Sequence, residues 1–190
     1  MYNAIPNLLP STKTKTKYPV TLNEAKLHLR LDTSTMTPDY YDEDTYLQNV
    51  IYAATEAAEQ FIEKDIALTD NVAEYYDYSS DTITLDEGNF IGVTSIVSDA
   101  SVLSTVSETR KYYNGTYIKL AASVTSDPLT INYQTGFDPS TNAAPYNIKQ
   151  AILIKIASMY DIDRSDYTLS IFKEGKAFER LLMPYKLILM

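Results

Sequence analysis

The sequence has no cysteine and no tryptophan, only five glycines, and a single histidine, His28, among its 190 residues. Without cysteine there can be no disulfide bond, thiol catalysis or cysteine-ligated metal site. The chain also lacks a glycine-rich phosphate loop, a Gly-x-Ser-x-Gly motif and a His-Glu-x-x-His motif. No apolar run reaches the roughly 20 residues that a membrane-spanning helix needs. We therefore expect no catalytic residues, no cofactor, no metal and no membrane partner.

Basic side chains are also scarce: 16 Lys and Arg stand against 25 Asp and Glu, a net charge of −9. The excess of acidic residues lies in residues 31–87, which carry fifteen acidic residues and one basic residue, Lys64. Residues 1–30 have a net charge of +4 and residues 88–190 a net charge of +1. Binding to phosphates needs clustered Lys and Arg, so the acidic middle argues against a protein that grips nucleic acid.

The spacing of apolar residues predicts four helices, near 21–30, 43–64, 146–160 and 174–183. A capping box formed by Thr21 and Glu24 begins the first helix. His28 is one position on that helix, with no Asp or Ser at a spacing that makes a local triad, so we predict no catalytic role for it. The second helix has one inward apolar stripe, composed of Leu47, Ile51, Ala54, Ala58 and Phe61.

Between the second and third helices the pattern changes to that of β-strands. Apolar residues alternate in two segments: Ile83 and Leu85, then Leu129, Ile131 and Tyr133. Asn114-Gly115 suits a two-residue type I′ turn, which would pair Tyr112 with Tyr117. Residues 81–135 therefore read as an antiparallel β-unit of about four or five strands.

These elements predict an α+β fold, a small helical bundle with an inserted antiparallel β-unit. Prolines and alternating lysines make residues 1–19 an extended N-terminal arm. The remaining predicted segments are a helical domain of residues 20–80 and 136–182, an inserted β-subdomain of residues 81–135, and a C-terminal arm of residues 183–190.

The C-terminal segment is unusually apolar for a chain terminus. Its candidate interface residues are Leu181, Leu182, Met183, Pro184, Tyr185, Leu187, Ile188, Leu189 and Met190. Left in water, such a patch invites aggregation. Pro184 stops the preceding helix and favours an extended continuation, which could fill a groove or a sheet edge of a neighbouring protein. The alternative is that the tail folds back on its own helices as core.

Two other functional readings stay open. Asp161, Asp163 and Asp166 could serve a small metal-dependent hydrolase, although "DIDRSD" lacks the glycine and the closing glutamate of a calcium loop. The 17 tyrosines could instead mark a Tyr-rich β-domain that acts as a binding module. In residues 1–19 the lysines follow the short apolar patch, the wrong order for a secretory leader, so we do not expect an exported module.

The order of motifs resembles that of the head–tail connector (adaptor) proteins of tailed bacteriophages. The resemblance is carried by "VTLNEAKLHLRLD" (20–32), "EDTYLQNVIYAATEAAEQFI" (43–62) with Glu59 as its central glutamate, "INYQTGF" (131–137) and "PYNIKQAILIKIASMYDIDR" (145–164). It implies a structural subunit of the virion neck, at the portal vertex, assembled in the host cytoplasm. The implied assembly is a homo-oligomeric ring, commonly a dodecamer, below the portal protein.

The same resemblance implies that tail or stopper proteins attach beneath the ring and that double-stranded DNA passes through it without specific binding. It also implies that the C-terminal arm reaches into the portal. An acidic lumen would fit this role, because negative charge repels DNA phosphates and lets the duplex slide.

Overall fold

Four α-helices and nine β-strands make up the described part of the chain, which confirms the α+β class. The computed structural model describes residues 7–8, 12–31, 40–76, 78–85, 89–98, 101–103, 106–112, 115–126, 128–160 and 176–186. The helices are α1 (Leu22–Leu29), α2 (Tyr40–Ile62), α3 (Tyr146–Tyr160) and α4 (Ala177–Leu182), with a 3₁₀ turn at Met183–Tyr185. The strands are β1 (Asn7–Leu8), β2 (Thr12–Lys17), β3 (Leu68–Tyr76), β4 (Tyr78–Leu85), β5 (Phe90–Ser98), β6 (Ser101–Leu103), β7 (Val106–Tyr112), β8 (Gly115–Ser126) and β9 (Leu129–Thr135).

The chain divides into a β unit and a helical unit. The β unit takes its described residues from Met1–Lys17 and Ala67–Phe137, and the helical unit from Tyr18–Ile66 and Asp138–Ile188. Strand β3 thus begins well before residue 81, where the sequence pattern first indicated strands. Its inward face starts with Thr69 and Asn71, both buried, so the apolar alternation that reveals a strand is missing there.

Two antiparallel sheets form the β unit. The first has the order β1-β3-β9-β5-β6, with β2 also paired to β3, and the second has the order β4-β8-β7. Both sheets contribute to one hydrophobic core, made of Ala73, Tyr75, Ile83, Leu85, Phe90, Ile96, Ile118, Leu120, Leu129, Ile131 and Tyr133. The predicted alternation in β4 and β9 is therefore confirmed. Strand β2, "TKTKTK", is exposed on both faces apart from the half-buried Lys15.

The register of the β7–β8 hairpin differs from the prediction. Tyr112 pairs with Gly115, and Tyr117 pairs with Arg110, so the expected pairing of Tyr112 with Tyr117 is wrong. The two registers differ by two residues on one strand, and a shift of two leaves each side chain on the same face. Apolar alternation therefore cannot distinguish them, and only the turn does. The intervening residues, 113–114, lie outside the described part.

The helical unit is built on the two long helices, α2 and α3. Four of the five residues predicted for the α2 stripe are fully buried: Leu47, Ile51, Ala54 and Ala58. Phe61 is half-buried, and Ile62 continues the stripe instead. Helix α3 buries Ile148, Ala151, Ile152, Ile156 and Tyr160. Both elements match their predicted positions to within three residues at either end.

The first helix starts at the predicted capping box. The hydroxyl of Thr21 accepts a hydrogen bond from the Glu24 amide at 3.2 Å, and Glu24 Oε2 accepts one from the Thr21 amide at 2.8 Å. Arg30 ends the helix in the left-handed conformation, with φ of 59°. Eight residues are too few for a helix to be stable alone, so α1 depends on its caps and on packing.

We expect Thr21→Ala to lower the free energy of unfolding by about 1 kcal/mol, because it removes the hydroxyl that satisfies a free amide at the helix start. The matched control is His28→Ala on the same helix, where the side chain is exposed; it should change stability by no more than about 0.5 kcal/mol. Urea unfolding followed by circular dichroism measures both. Equal effects of the two substitutions would contradict a stabilising role for the cap.

Candidate functional site

Glu24 joins α1 to α3 as well as capping its own helix. Its Oε1 lies 2.9 Å from Lys149 Nζ on α3, a pair separated by 125 residues in the sequence. Two residues further along α1, Lys26 forms an ion pair with Asp44 on α2. Opposite charges on three helices therefore fix the position of α1 on the helical unit.

The environment of Glu24 favours its charged form. Burial raises the pKa of this carboxyl, whereas the hydrogen bonds from Lys149 and Thr21 and the charge of Lys149 lower it. The net result is a pKa below the ordinary glutamate value. The carboxylate is thus a pH-sensitive part of the helical unit.

At the other end of the helical unit, Tyr160 on α3 contacts α2. The Tyr160 hydroxyl donates a hydrogen bond of 2.6 Å to Glu43 Oε1, near the start of α2. The ring of Tyr46 lies 6.0 Å from that of Tyr160, measured between centroids. The start of α2 therefore meets the end of α3, as expected for antiparallel neighbours.

Glu59, the central glutamate of the motif at residues 43–62, forms hydrogen bonds with the residues that follow α2. Its Oε1 accepts a 2.9 Å hydrogen bond from the amide of Ile66. Its backbone carbonyl accepts one of 2.8 Å from Glu63, which adopts the left-handed conformation with φ of 59°. The carboxylate thus satisfies an amide of the connection between α2 and β3.

The described C-terminal residues, 176–186, belong to the helical unit. Leu182 is fully buried, and Phe178 on α4 packs against Phe61 on α2, with ring centroids 6.0 Å apart. Lys186 Nζ lies 5.1 Å from the centroid of the Phe61 ring and 4.0 Å from Glu63 Oε1. Leu182 is therefore core in this chain and is not available as an interface residue.

The sequence suggested that Pro184 starts an extended segment, but the structure shows that it does not. It lies within the 3₁₀ turn Met183–Tyr185, and the chain becomes extended at Lys186. Proline is compatible with the first turn of a helix because its fixed φ suits the turn and its missing amide needs no partner there. Leu181 and Tyr185 are half-buried, Met183 and Pro184 are exposed, and residues 187–190 lie outside the described part.

Of the residues considered for chemistry, His28 falls within the described part of the chain. His28 is exposed on α1. Among the described residues, no group of three or more His, Asp and Glu side chains is arranged to hold a metal ion. Asp161, Asp163 and Asp166 lie outside them. No helix in the described ranges is long and apolar enough to cross a membrane.

Large apolar side chains are exposed on the helical unit. Among the described residues they are Leu27 on α1, 76% exposed, Tyr52 on α2, 37%, Tyr146 on α3, 89%, and Met183, 55%. All four of these side chains belong to the helical unit.

No protein-family model and no curated relative matches the sequence. Solved structures match it over nearly its whole length. A chain in the neck of an empty gene transfer agent (GTA) particle, computed with C6 symmetry, is 18% identical, with a TM-score of 0.71 over 96% of this chain and 97% of that one. This chain shares its fold with virion neck proteins.

Two further structures give the same result. A chain of the native GTA particle neck, computed with C12 symmetry, is 16% identical with a TM-score of 0.68. A chain of the native GTA virion is 16% identical with a TM-score of 0.67. Both alignments cover 96% of this chain and 97% of the other. The shared fold therefore includes both the helical unit and the β unit.

Because the folded chain lowers the pKa of Glu24, the unfolded chain binds more protons at intermediate pH. The stability from Glu24 is thus present above the ordinary carboxyl pKa and lost as the pH falls through the folded value. We expect a double-mutant cycle of Glu24→Gln and Lys149→Gln to give a coupling of about 0.3–1 kcal/mol at neutral pH. Glutamine keeps the capping box, so the cycle isolates the charge.

Urea unfolding at several pH values measures this coupling, which should shrink as the pH falls below the ordinary glutamate pKa and through the lower pKa of Glu24 in the folded chain. A coupling that stays constant as the pH falls would show that the Glu24 charge does not stabilise the contact between α1 and α3.

Proposed function

We propose that the chain is a head–tail connector, the adaptor subunit of a tailed phage-like particle. The observation that carries this proposal is the fold match to neck chains, which extends over 96% of the sequence. The connector-like motifs support it, because three of the four fall on helices of the helical unit and the fourth, residues 131–137, includes most of β9. Residues 20–32 supply α1, residues 43–62 most of α2, and residues 145–164 include α3.

In this proposal copies of the chain form a closed ring, a dodecamer, below the portal protein in the virion neck. Assembly takes place in the host cytoplasm. Tail or stopper proteins attach to the opposite side of the ring. Cyclic symmetry requires each copy to offer two different surfaces to its neighbours, one on each side. The exposed apolar side chains of the helical unit are the natural candidates for such surfaces.

Double-stranded DNA passes through the ring without specific binding. The acidic bias of residues 31–87 supports this, and Asp70 in that segment is exposed. Negative side chains facing the channel would repel phosphates at short range and prevent the duplex from adhering. The function is structural, and we assign no catalytic role to His28.

The C-terminal arm is the proposed contact with the portal. We leave Leu182 and Lys186 out of the arm, because Leu182 is buried and Lys186 lies near Phe61 and Glu63. The arm then consists of the exposed Met183 and Pro184, together with Leu187, Ile188, Leu189 and Met190. Burial of each large apolar side chain contributes roughly 1.5–3 kcal/mol before ordering costs, so four or five anchors are enough to hold an arm.

A truncation after Lys186 tests the arm. We expect the truncated chain to keep the melting temperature of the full chain but to lose attachment to portal-containing particles, because it loses the four apolar anchors at 187–190 and keeps the described core. The comparison variant is Leu182→Ala, which leaves the arm intact but should cost about 2–5 kcal/mol of stability through a core cavity. Differential scanning calorimetry and co-sedimentation with particles measure the two effects. A truncation that melts several degrees lower would place residues 187–190 in the core.

Cryo-electron microscopy of purified particles that contain the chain tests the function itself. We expect a closed ring between portal and tail, with twelve copies, the symmetry used for one similar neck. We expect this ring because the alignment with a neck chain covers 96% of this chain and thus includes both units. Particles whose neck holds no copy of the chain would exclude the connector role.

A further inference from the structure

Helix α1 carries an exposed patch that mixes apolar and basic side chains. Leu27 is 76% exposed, and His28 and Arg30 beside it are exposed as well. Leu27 lies one helical turn from Glu24 on α1. On α3, Lys149, the ion-pair partner of Glu24, lies one turn from Tyr146, whose side chain is 89% exposed. The ion pair between α1 and α3 thus has an exposed apolar side chain one turn away on each helix. We call Leu27 and Arg30 the α1 patch.

Helix α2 carries a second exposed surface with the opposite charge. The exposed positions among its described side chains lie on one face, since Tyr52 and Ala53 each stand three or four residues from both Asn49 and Glu56. These positions are Thr45, Asn49, Tyr52, Ala53, Glu56 and Gln60. Tyr52 and Ala53 make the middle of this α2 stripe apolar, and the Tyr52 ring lies against that of Tyr18 with centroids 4.3 Å apart. Glu56 makes the end of the stripe acidic, whereas Glu63, which follows the helix, lies 4.0 Å from Lys186.

We propose that the α1 patch of one copy docks on the α2 stripe of the next copy in the ring, with Leu27 against Tyr52 and Ala53 and Arg30 toward Glu56. The occupant of the patch is therefore a second copy of this chain. This inference rests on the proposed connector function and deepens it, because it names the two surfaces through which the ring closes.

Charge makes this contact heterologous. Two α1 patches facing each other would bring Arg30 of one copy toward Arg30 of the other, and two α2 stripes would oppose their glutamates. Only the pairing of patch with stripe joins opposite charges around an apolar centre. A contact between two different surfaces repeats from copy to copy and closes into a ring when the rotation closes, whereas a contact of one surface with itself stops at a dimer.

The absence of cysteine permits a direct test. Leu27→Cys and Ala53→Cys are introduced together into the full chain, and assembled particles are treated with a mild oxidant. Leu27 and Ala53 are exposed, so the variants should fold normally. We expect a ladder of covalent oligomers from dimer upward in the double variant and single chains in each single variant. The matched control combines Leu27→Cys with Thr94→Cys, an exposed position on β5, and should give no ladder.

A second readout is charge reversal. Arg30→Glu should lower incorporation into particles several-fold, and adding Glu56→Lys should restore it, because the pair is reversed rather than removed. A dimer from Leu27→Cys alone, a ladder equally strong in the control, or no ladder in particles that hold the chain in the neck would overturn the proposed contact and leave the connector function standing. Particles without the chain in the neck would overturn both.

Discussion

The burial of α2 against α3 is the interaction on which the helical unit depends. Each helix contributes a fully buried stripe, with Leu47 and Ile51 on one and Ile152 and Ile156 on the other. The shorter elements have little stability of their own, because eight- and six-residue helices cannot persist alone in water. Helix α1 is attached through ion pairs to both long helices, and α4 through ring contacts with α2. Loss of the central packing would therefore release both.

Sequence patterns predicted the elements whose apolar spacing is undisturbed. Helix α3 was placed at its observed ends, and the capping box at Thr21 was found because both of its partners are local. Strand β3 was missed since Thr69 and Asn71 face inward. Asn71 Nδ2 donates to Thr135 Oγ1 at 2.8 Å, across 64 residues of sequence. A polar contact between strands leaves no periodic signal in either of them.

The candidate surfaces were predictable only in part. The apolar C-terminus was evident from composition, yet the burial of Leu182 follows from where α4 packs, which no local pattern records. The ion pair of Glu24 with Lys149 and the hydrogen bond from Ile66 to Glu59 likewise depend on tertiary structure. Glu59 is an example, because the sequence shows its place in a motif but not its hydrogen bond with the Ile66 amide after the end of α2.

Strand β2 has a consequence for solubility in a crowded assembly. Among the described strands it pairs only with β3, and it carries lysines at every second position. A sheet edge is a template for unwanted strand addition, and a ring would hold many such edges close together. Two β2 strands that approached each other would bring Lys13, Lys15 and Lys17 of both copies into proximity, and like charges across a strand pair are destabilising. The repeated Thr-Lys sequence thus disfavours strand addition between copies at this edge.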